Sequence, residues 1–278
     1  MKKVGKKKLF FAIAGSILAV LLISFWILLI VITVNKVSAG SYEESPVRYI
    51  AHRGYSSKYY QNTVQSFAAA GAEDFFDGIE TDVWLTKDNV FVCSHDVNPF
   101  VDKKVKITDR TYDEIKDLPL RISDETYEID RTIEYRIATL EEYLNICMDT
   151  RKLAFIEMKQ KFNEEETKAL VDLAYGVLYR TRVYFCSFDK GVVDRVLEYK
   201  PLARTELFAS VDIVAFAEAE MGYNVGLIVG LAERNDFYAK VVHKKGAFLG
   251  AWTVNDKKTA EKLVDNGVDW ITTDMVLA

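Results

Sequence analysis

From about Arg48 onward, short apolar runs alternate with stretches whose apolar residues recur at helical spacing, and this alternation limits the folds open to the chain. Strands are expected at about 48–52, 78–84, 153–159, 182–187, 203–208, 225–229, 247–254 and 269–273. Helices are expected at about 62–72, 139–149, 164–179, 189–199, 212–222, 234–245 and 256–266. Eight strands alternating with helices in one domain, residues 47–278, predict an α/β fold of the (β/α)8 TIM-barrel type, with a doubly wound open sheet as the alternative. The charged segment 98–136, with Pro99 and Pro119, interrupts the alternation; as an insertion after the second strand it is expected over the active-site face.

Ionisable groups in strands of this kind need partners. Successive strand residues alternate between faces, so Glu80 and Asp82 share one face while Ile79, Thr81 and Val83 take the other. Two unpaired carboxylates on a half-buried strand cost several kcal/mol, and a cation resolves that cost. The run LAFIEMK places Glu157 and Lys159 on one face in the same way. Three oxygen donors with no histidine or cysteine cluster suit one hard divalent cation, Ca²⁺ or Mg²⁺, better than zinc, so Glu80, Asp82 and Glu157 are the candidate metal ligands.

The motifs His52-Arg53-Gly54, Gln61-Asn62-Thr63, Glu80-Thr81-Asp82, His95-Asp96, Glu157-Met158-Lys159 and Trp252-Thr253-Val254-Asn255, with the closing run Gly267 to Asp274, follow in that order. The chain thereby resembles the glycerophosphodiester phosphodiesterases from about residue 47 to its end. The resemblance implies the same barrel and hydrolysis of glycerophosphodiesters to sn-glycerol 3-phosphate and an alcohol. His52 and His95 are then the candidate acid–base pair, because imidazole titrates near neutral pH. Arg53 and Lys159 supply fixed charge to the phosphate, arginine in a bidentate way and lysine as a point charge. Trp252 is a candidate pocket wall on the strength of its motif. Asn62 is either a partner of a catalytic or substrate group or a helix cap. The resemblance also admits attack by a neighbouring hydroxyl through a cyclic phosphate, besides direct attack by water.

Two departures stand out. Gln61 occupies the place of the family's usual glutamate, which motivates an alternative reading as a membrane-tethered binding module without turnover. Ala138 replaces a common proline, although Thr139 and Glu142 keep the capping-box spacing. Asp96 reads as a supporting or strand-ending acid, Phe67 as helix core, and His243, beside Lys244 and Lys245, as solvent-facing.

The run from Leu9 to Val34 holds 26 residues without a charge, long enough to span a bilayer. Lys2, Lys3, Lys6, Lys7 and Lys8 precede it, so the positive-inside rule puts residues 1–8 in the cytoplasm, the 35–46 linker and the barrel outside, and the protein in the cell membrane as a single-pass chain. Val37-Ser38-Ala39 resembles a signal cleavage site, but the apolar run is longer than a signal peptide needs. Without those lysines and Lys36, 30 basic residues face 41 acidic ones, a net of about −11. That excludes nucleic acid as an expected partner and argues against broad adhesion to anionic lipid; oligomeric state is left open. Cys93, Cys147 and Cys186 lack metal-ligand spacing and read as buried thiols rather than a disulfide framework.

Overall fold

The computed structural model describes residues 46–122 and 127–277. The expected basic segment 1–8, membrane span 9–34 and linker up to residue 45 lie outside them. Among the described residues, no helix is long and apolar enough to cross a membrane.

Ten strands follow in chain order: β1 (Arg48–Ala51), β2 (Gly78–Leu85), β3 (Phe91–Cys93), β4 (Ala138–Thr139), β5 (Leu153–Met158), β6 (Val183–Ser187), β7 (Arg204–Ala209), β8 (Val225–Ile228), β9 (Leu249–Trp252) and β10 (Trp270–Thr273). Eight of them, β1, β2 and β5 to β10, pair in parallel, and β1 bonds to both β10 and β2, which closes the barrel. These are the eight strands expected from the sequence, within about two residues at each end. Closure excludes the open doubly wound sheet.

Burial sorts the two faces of each strand. Ile79 and Val83 of β2, Ala154, Ile156 and Met158 of β5, and Val183 and Phe185 of β6 pack outward with Phe67, Leu144 and Val171 of the surrounding helices. Phe67 is fully buried there, as expected, and each such side chain contributes roughly 1.5–3 kcal/mol by leaving water. Inside the barrel, Ile50, Phe155, Tyr184, Cys186 and Trp270 form a separate cluster. Phe155 and Tyr184 stack at 4.4 Å with their planes 2° apart, and Trp270 meets both edge-on. This aromatic layer fills the barrel below the polar groups, as barrel interiors require.

Local sequence sets the helix starts. Thr63 caps the helix Val64–Ala72 and forms a capping box with Ser66. The box of Thr139 and Glu142 opens Leu140–Asp149 despite Ala138. The three cysteines are buried and free.

The pair β3 and β4 was not expected. β3 returns antiparallel along the end of β2, with Val83 opposite Cys93, and β4 pairs with β3. The turn Thr86-Lys87-Asp88-Asn89 permits this: the Thr86 hydroxyl donates to Asp88 Oδ1, and Asn89 takes a left-handed φ of 63°. The described part of 98–136 builds its own apolar cluster from Phe100, Ile107, Ile115, Leu120, Ile129 and Tyr135. From it Tyr127 donates a hydrogen bond to Asp274 Oδ2 at 3.1 Å, just past the end of β10.

Candidate active site

The β1 strand ends in a turn that aims two functional groups at once. Arg53 and Gly54 both take left-handed conformations, at φ 56° and 83°. A side chain at Gly54 would strike Ser66, so the turn packs directly against the first helix and only glycine fits. The Arg53 backbone N–H donates to Glu80 Oε2 at 3.0 Å, its Nη1 donates to Gln61 Oε1 at 2.6 Å, and its Nε lies 3.2 Å from Asp82 Oδ2. Gln61 thus orients the guanidinium through its amide oxygen, the acceptor that a glutamate would also supply. The exchange removes a charge and keeps the bond, which takes away the motive for a binding module without turnover.

Glu80 and Asp82 project from β2, and Glu157 stands beside Asp82 in the β2–β5 register. All three are buried, and one oxygen from each lies within 4.8 Å of the others. Lys159 Nζ is 3.0 Å from Glu157 Oε1 and 3.3 Å from Asp82 Oδ1, yet that Asp82 oxygen makes no hydrogen bond of good geometry. Burial, then Asp82 and Glu157, push the Glu80 carboxyl well above the usual range. Burial, then Asp82, raise Glu157 to about 7. Burial also acts to raise Asp82, but Arg53 and Lys159 together outweigh it and hold that carboxyl low. With all three carboxylates ionised, the two cations leave one negative charge in excess in a buried space. Oxygen donors at this spacing fit a hard divalent cation, so the triad can hold one.

Asn62 is buried, and both ends of its amide are engaged inside the protein. Nδ2 donates to Asp82 Oδ2 at 2.8 Å, while Oδ1 accepts from Thr81 Oγ1 and the Asp82 N–H. The cap belongs to Thr63, and Asn62 braces the Asp82 carboxylate. Of the two roles open in the sequence, the structure thus has the bond to a site group and not the helix cap: a left-handed φ of 57° at the loop end turns this amide toward β2.

His52 Nδ1 lies 2.7 Å from Asp274 Oδ1, and His95 Nδ1 lies 3.0 Å from Asp96 Oδ1. Asp96 also pairs with Arg121 of the insertion at 3.3 Å. Burial acts to raise Asp274, but the His52 hydrogen bond and charge outweigh it and bring it down to about 2. Burial, then Arg53, push the His95 imidazole below its ordinary value. Asn255 Nδ2 donates to Asp274 Oδ2 at 2.6 Å and Ser56 Oγ to Oδ1 at 3.1 Å, so this carboxylate is fixed from several sides.

Most of these groups line one cavity of about 110 Å³. His52, Arg53, Glu80, His95, Glu157 and Lys159 line it together with Phe155, Phe188, Phe208, Trp252 and Glu206. Trp252 is half-buried and donates from Nε1 to the Gly226 carbonyl at 3.0 Å. Seven of the nine side chains singled out in the sequence therefore line this cavity, with Asp82 and then Asn62 bonded behind them. His243 lies elsewhere: it is only 19% exposed, and Nε2 sits 2.9 Å from Asp269 Oδ2. The expectation of a solvent-facing side chain is thus corrected, because the helix Phe237–Lys244 turns this residue toward the barrel end where Asp269 precedes β10.

Asp274, Glu206, Phe188 and Phe208 were not singled out from the sequence. Asp274 carried a usable signal, an acid directly after a barrel strand, where functional groups collect. Glu206 carried the signal that marked Glu157, a lone carboxylate in an apolar strand.

Comparison with known proteins agrees with the geometry. The Glycerophosphoryl diester phosphodiesterase family model matches residues 52–278. A glycerophosphodiester phosphodiesterase from Caldanaerobacter subterraneus is 29% identical over 240 residues, covering 81% of this chain and 93% of the relative. A crystal structure of a glycerophosphodiester phosphodiesterase from Parabacteroides distasonis superposes with a TM-score of 0.68 at 27% identity, over 84% of this chain and 95% of the other. An Oleispira antarctica phosphodiesterase, solved in complex with the product sn-glycerol-3-phosphate, shares the fold with a TM-score of 0.70 at 20% identity, over 82% and 93% of the two chains. With a match that runs from His52 through every barrel strand after β1, and the site in place within it, the chain belongs to the glycerophosphoryl diester phosphodiesterase family of phosphoric diester hydrolases.

Proposed function

We propose that the chain hydrolyses glycerophosphodiesters to sn-glycerol 3-phosphate and an alcohol, using one divalent cation, Ca²⁺ or Mg²⁺, held by Glu80, Asp82 and Glu157. The observation that carries this reading is the charge balance of the buried cluster. One excess negative charge becomes one positive charge with a divalent ion, and the single charge of a phosphodiester then neutralises the site. The product held by the Oleispira antarctica relative has the same chemistry.

When bound, the cation polarises the phosphoryl group as a Lewis acid. Arg53, anchored by Gln61, and Lys159, held between Asp82 and Glu157, present fixed positive charge to the equatorial oxygens. With Nδ1 engaged by Asp274 or Asp96, each imidazole has Nε2 left for the reaction. Burial beside Arg53 and Lys159 disfavours the charged form of His95, which suits it to accept a proton. Asp274 Oδ1, 2.7 Å from His52 Nδ1, fixes the orientation of that ring, and His52 is the group that donates a proton to the leaving alkoxide. The attacking oxygen comes from water or from a neighbouring hydroxyl of the substrate; both routes use these groups.

The same proposal places the barrel outside the cell membrane, anchored by residues 9–34. Its support is the 26-residue uncharged run behind five lysines. Substrates at or near that surface follow: deacylated phospholipids, lysophospholipids or glycerophosphate polymers. One experiment tests both parts. Intact cells expressing the full chain, given a panel of diesters, should release sn-glycerol 3-phosphate without lysis and stop when a chelator is added. Release that a chelator leaves untouched overturns the metal-dependent reading, and release seen only after lysis overturns the external placement.

A further inference from the structure

A second cavity, of about 320 Å³, lies at the end of the barrel opposite the catalytic groups. Tyr175, Arg180, Lys200, Pro201, Leu202 and Ala203 line it. Tyr175 belongs to the last turns of the helix Glu164–Val177, Arg180 opens the turn Arg180–Arg182 ahead of β6, and residues 200–203 lead from the helix Lys190–Tyr199 into β7. The cavity therefore sits at the N-terminal ends of two parallel strands, whereas Arg53 and Lys159 follow the C-terminal ends of β1 and β5.

Its polar groups are largely unengaged. Arg180 is exposed and pairs with no carboxylate among the described residues. Lys200 Nζ stands 3.8 Å from Asp172 Oδ1, at the limit of an ion pair, and Tyr199 already donates its hydroxyl to both oxygens of that carboxylate, at 2.9 and 2.8 Å. Tyr175 Oη is buried and has no hydrogen-bond partner among the described residues, which costs about 1–3 kcal/mol. Burial pushes this hydroxyl up, while Arg180 and then Arg204 pull it back, so two guanidinium groups act on one oxygen. Arg204 engages only Nη1, which donates to the Tyr184 hydroxyl at 2.8 Å. Cations around a buried donor that lacks an acceptor fit an anion with several oxygens. A phosphate group can accept at once from an arginine fork, a lysine and a hydroxyl. Beside these groups Leu202 is 75% exposed and Tyr179 83% exposed, so apolar side chains border the charges.

We propose that this cavity is a second anion site, which takes a phosphate group, free or carried by a lipid headgroup, through Arg180, Lys200 and the Tyr175 hydroxyl. With a lipid, Leu202 and Tyr179 meet the apolar part of the molecule; with free phosphate they stay in water. The site is independent of the proposed hydrolysis, since none of its residues lines the catalytic cavity.

The test uses the full chain in a neutral detergent, with a chelator present so that the acidic cluster of the catalytic cavity holds no cation to attract an anion. Inorganic phosphate and dihexanoyl phosphatidic acid are titrated calorimetrically, which needs no turnover. Arg180→Gln and Tyr175→Phe should each weaken phosphate binding about tenfold, and Arg110→Gln, in the 98–136 segment, should leave it unchanged. Neither site change threatens the fold, because Arg180 is exposed and phenylalanine keeps the ring that meets Phe185. Lipid binding about tenfold tighter than phosphate, with that advantage lost in Leu202→Ser, identifies a headgroup as the source. Equal binding of both, unaltered in Leu202→Ser, identifies free phosphate. A wild type that binds neither, or Arg180→Gln and Tyr175→Phe proteins that bind as the wild type does, overturns the site.

Discussion

The barrel interior holds two kinds of buried carboxylate. On β2 and β5, Glu80, Asp82 and Glu157 crowd together and are met by Arg53 and Lys159 within 3.3 Å. On β7, Glu206 is alone, with an indole N–H and a thiol for partners. Burial raises both Glu80 and Glu206, but only the first set also contains a residue, Asp82, pulled strongly the other way by cations. A crowded acidic set with interleaved cations has room for a charge to be added; a solitary buried carboxyl with no cation beside it keeps its proton to higher pH. Burial alone says little about what a carboxylate does, and its neighbours decide.

The largest effects belong to the crowded side. His52→Ala and His95→Ala should each lower kcat by about 10²–10⁴-fold with unchanged thermal unfolding, because each removes one proton-transfer group. Drops below about tenfold in both variants, measured on a soluble diester, would erase the contrast between the two sides of the cavity.

Glu206→Gln sharpens the comparison through stability. The folded Glu206 keeps its proton to about pH 8, whereas the unfolded residue releases it near the ordinary value of 4.5. Rising pH across that window therefore favours unfolding of the wild type, and the contribution levels off above it. Denaturant unfolding with chelator present should show Glu206→Gln gaining on the wild type between about pH 5 and 8, on the order of a few kcal/mol at the top. A difference that stays flat with pH would place Glu206 in an environment far wetter than its 2% exposure implies.

What the sequence reveals follows from spacing. Glu80 and Asp82, two residues apart on an apolar strand, share a face by the period of the strand itself, and Glu157 joins them through the β2–β5 register. The eight barrel strands were legible for the same reason. β3 was not, because three residues give too short an alternation to separate from a loop. Asn62 was ambiguous because one amide can cap a helix or brace a carboxylate, and only the turn through Arg53 and Gly54 decides. Glu206 lacked a partner at strand spacing; its meaning rests on Gly226 and Gly250, which lie next to it only after the barrel closes. His243 looked exposed from its lysine neighbours, while its partner Asp269 is 26 residues away.

The central claim is that the three carboxylates hold one divalent cation on which turnover depends. Calorimetric titration of the full chain with Ca²⁺ and with Mg²⁺, wild type against Glu80→Gln, tests it most directly when paired with turnover of the same samples. The account predicts one ion per wild-type chain, and a folded variant that has lost both that ion and nearly all release of sn-glycerol 3-phosphate. A Glu80→Gln protein that binds one ion with wild-type affinity and turns over at the wild-type rate would contradict it.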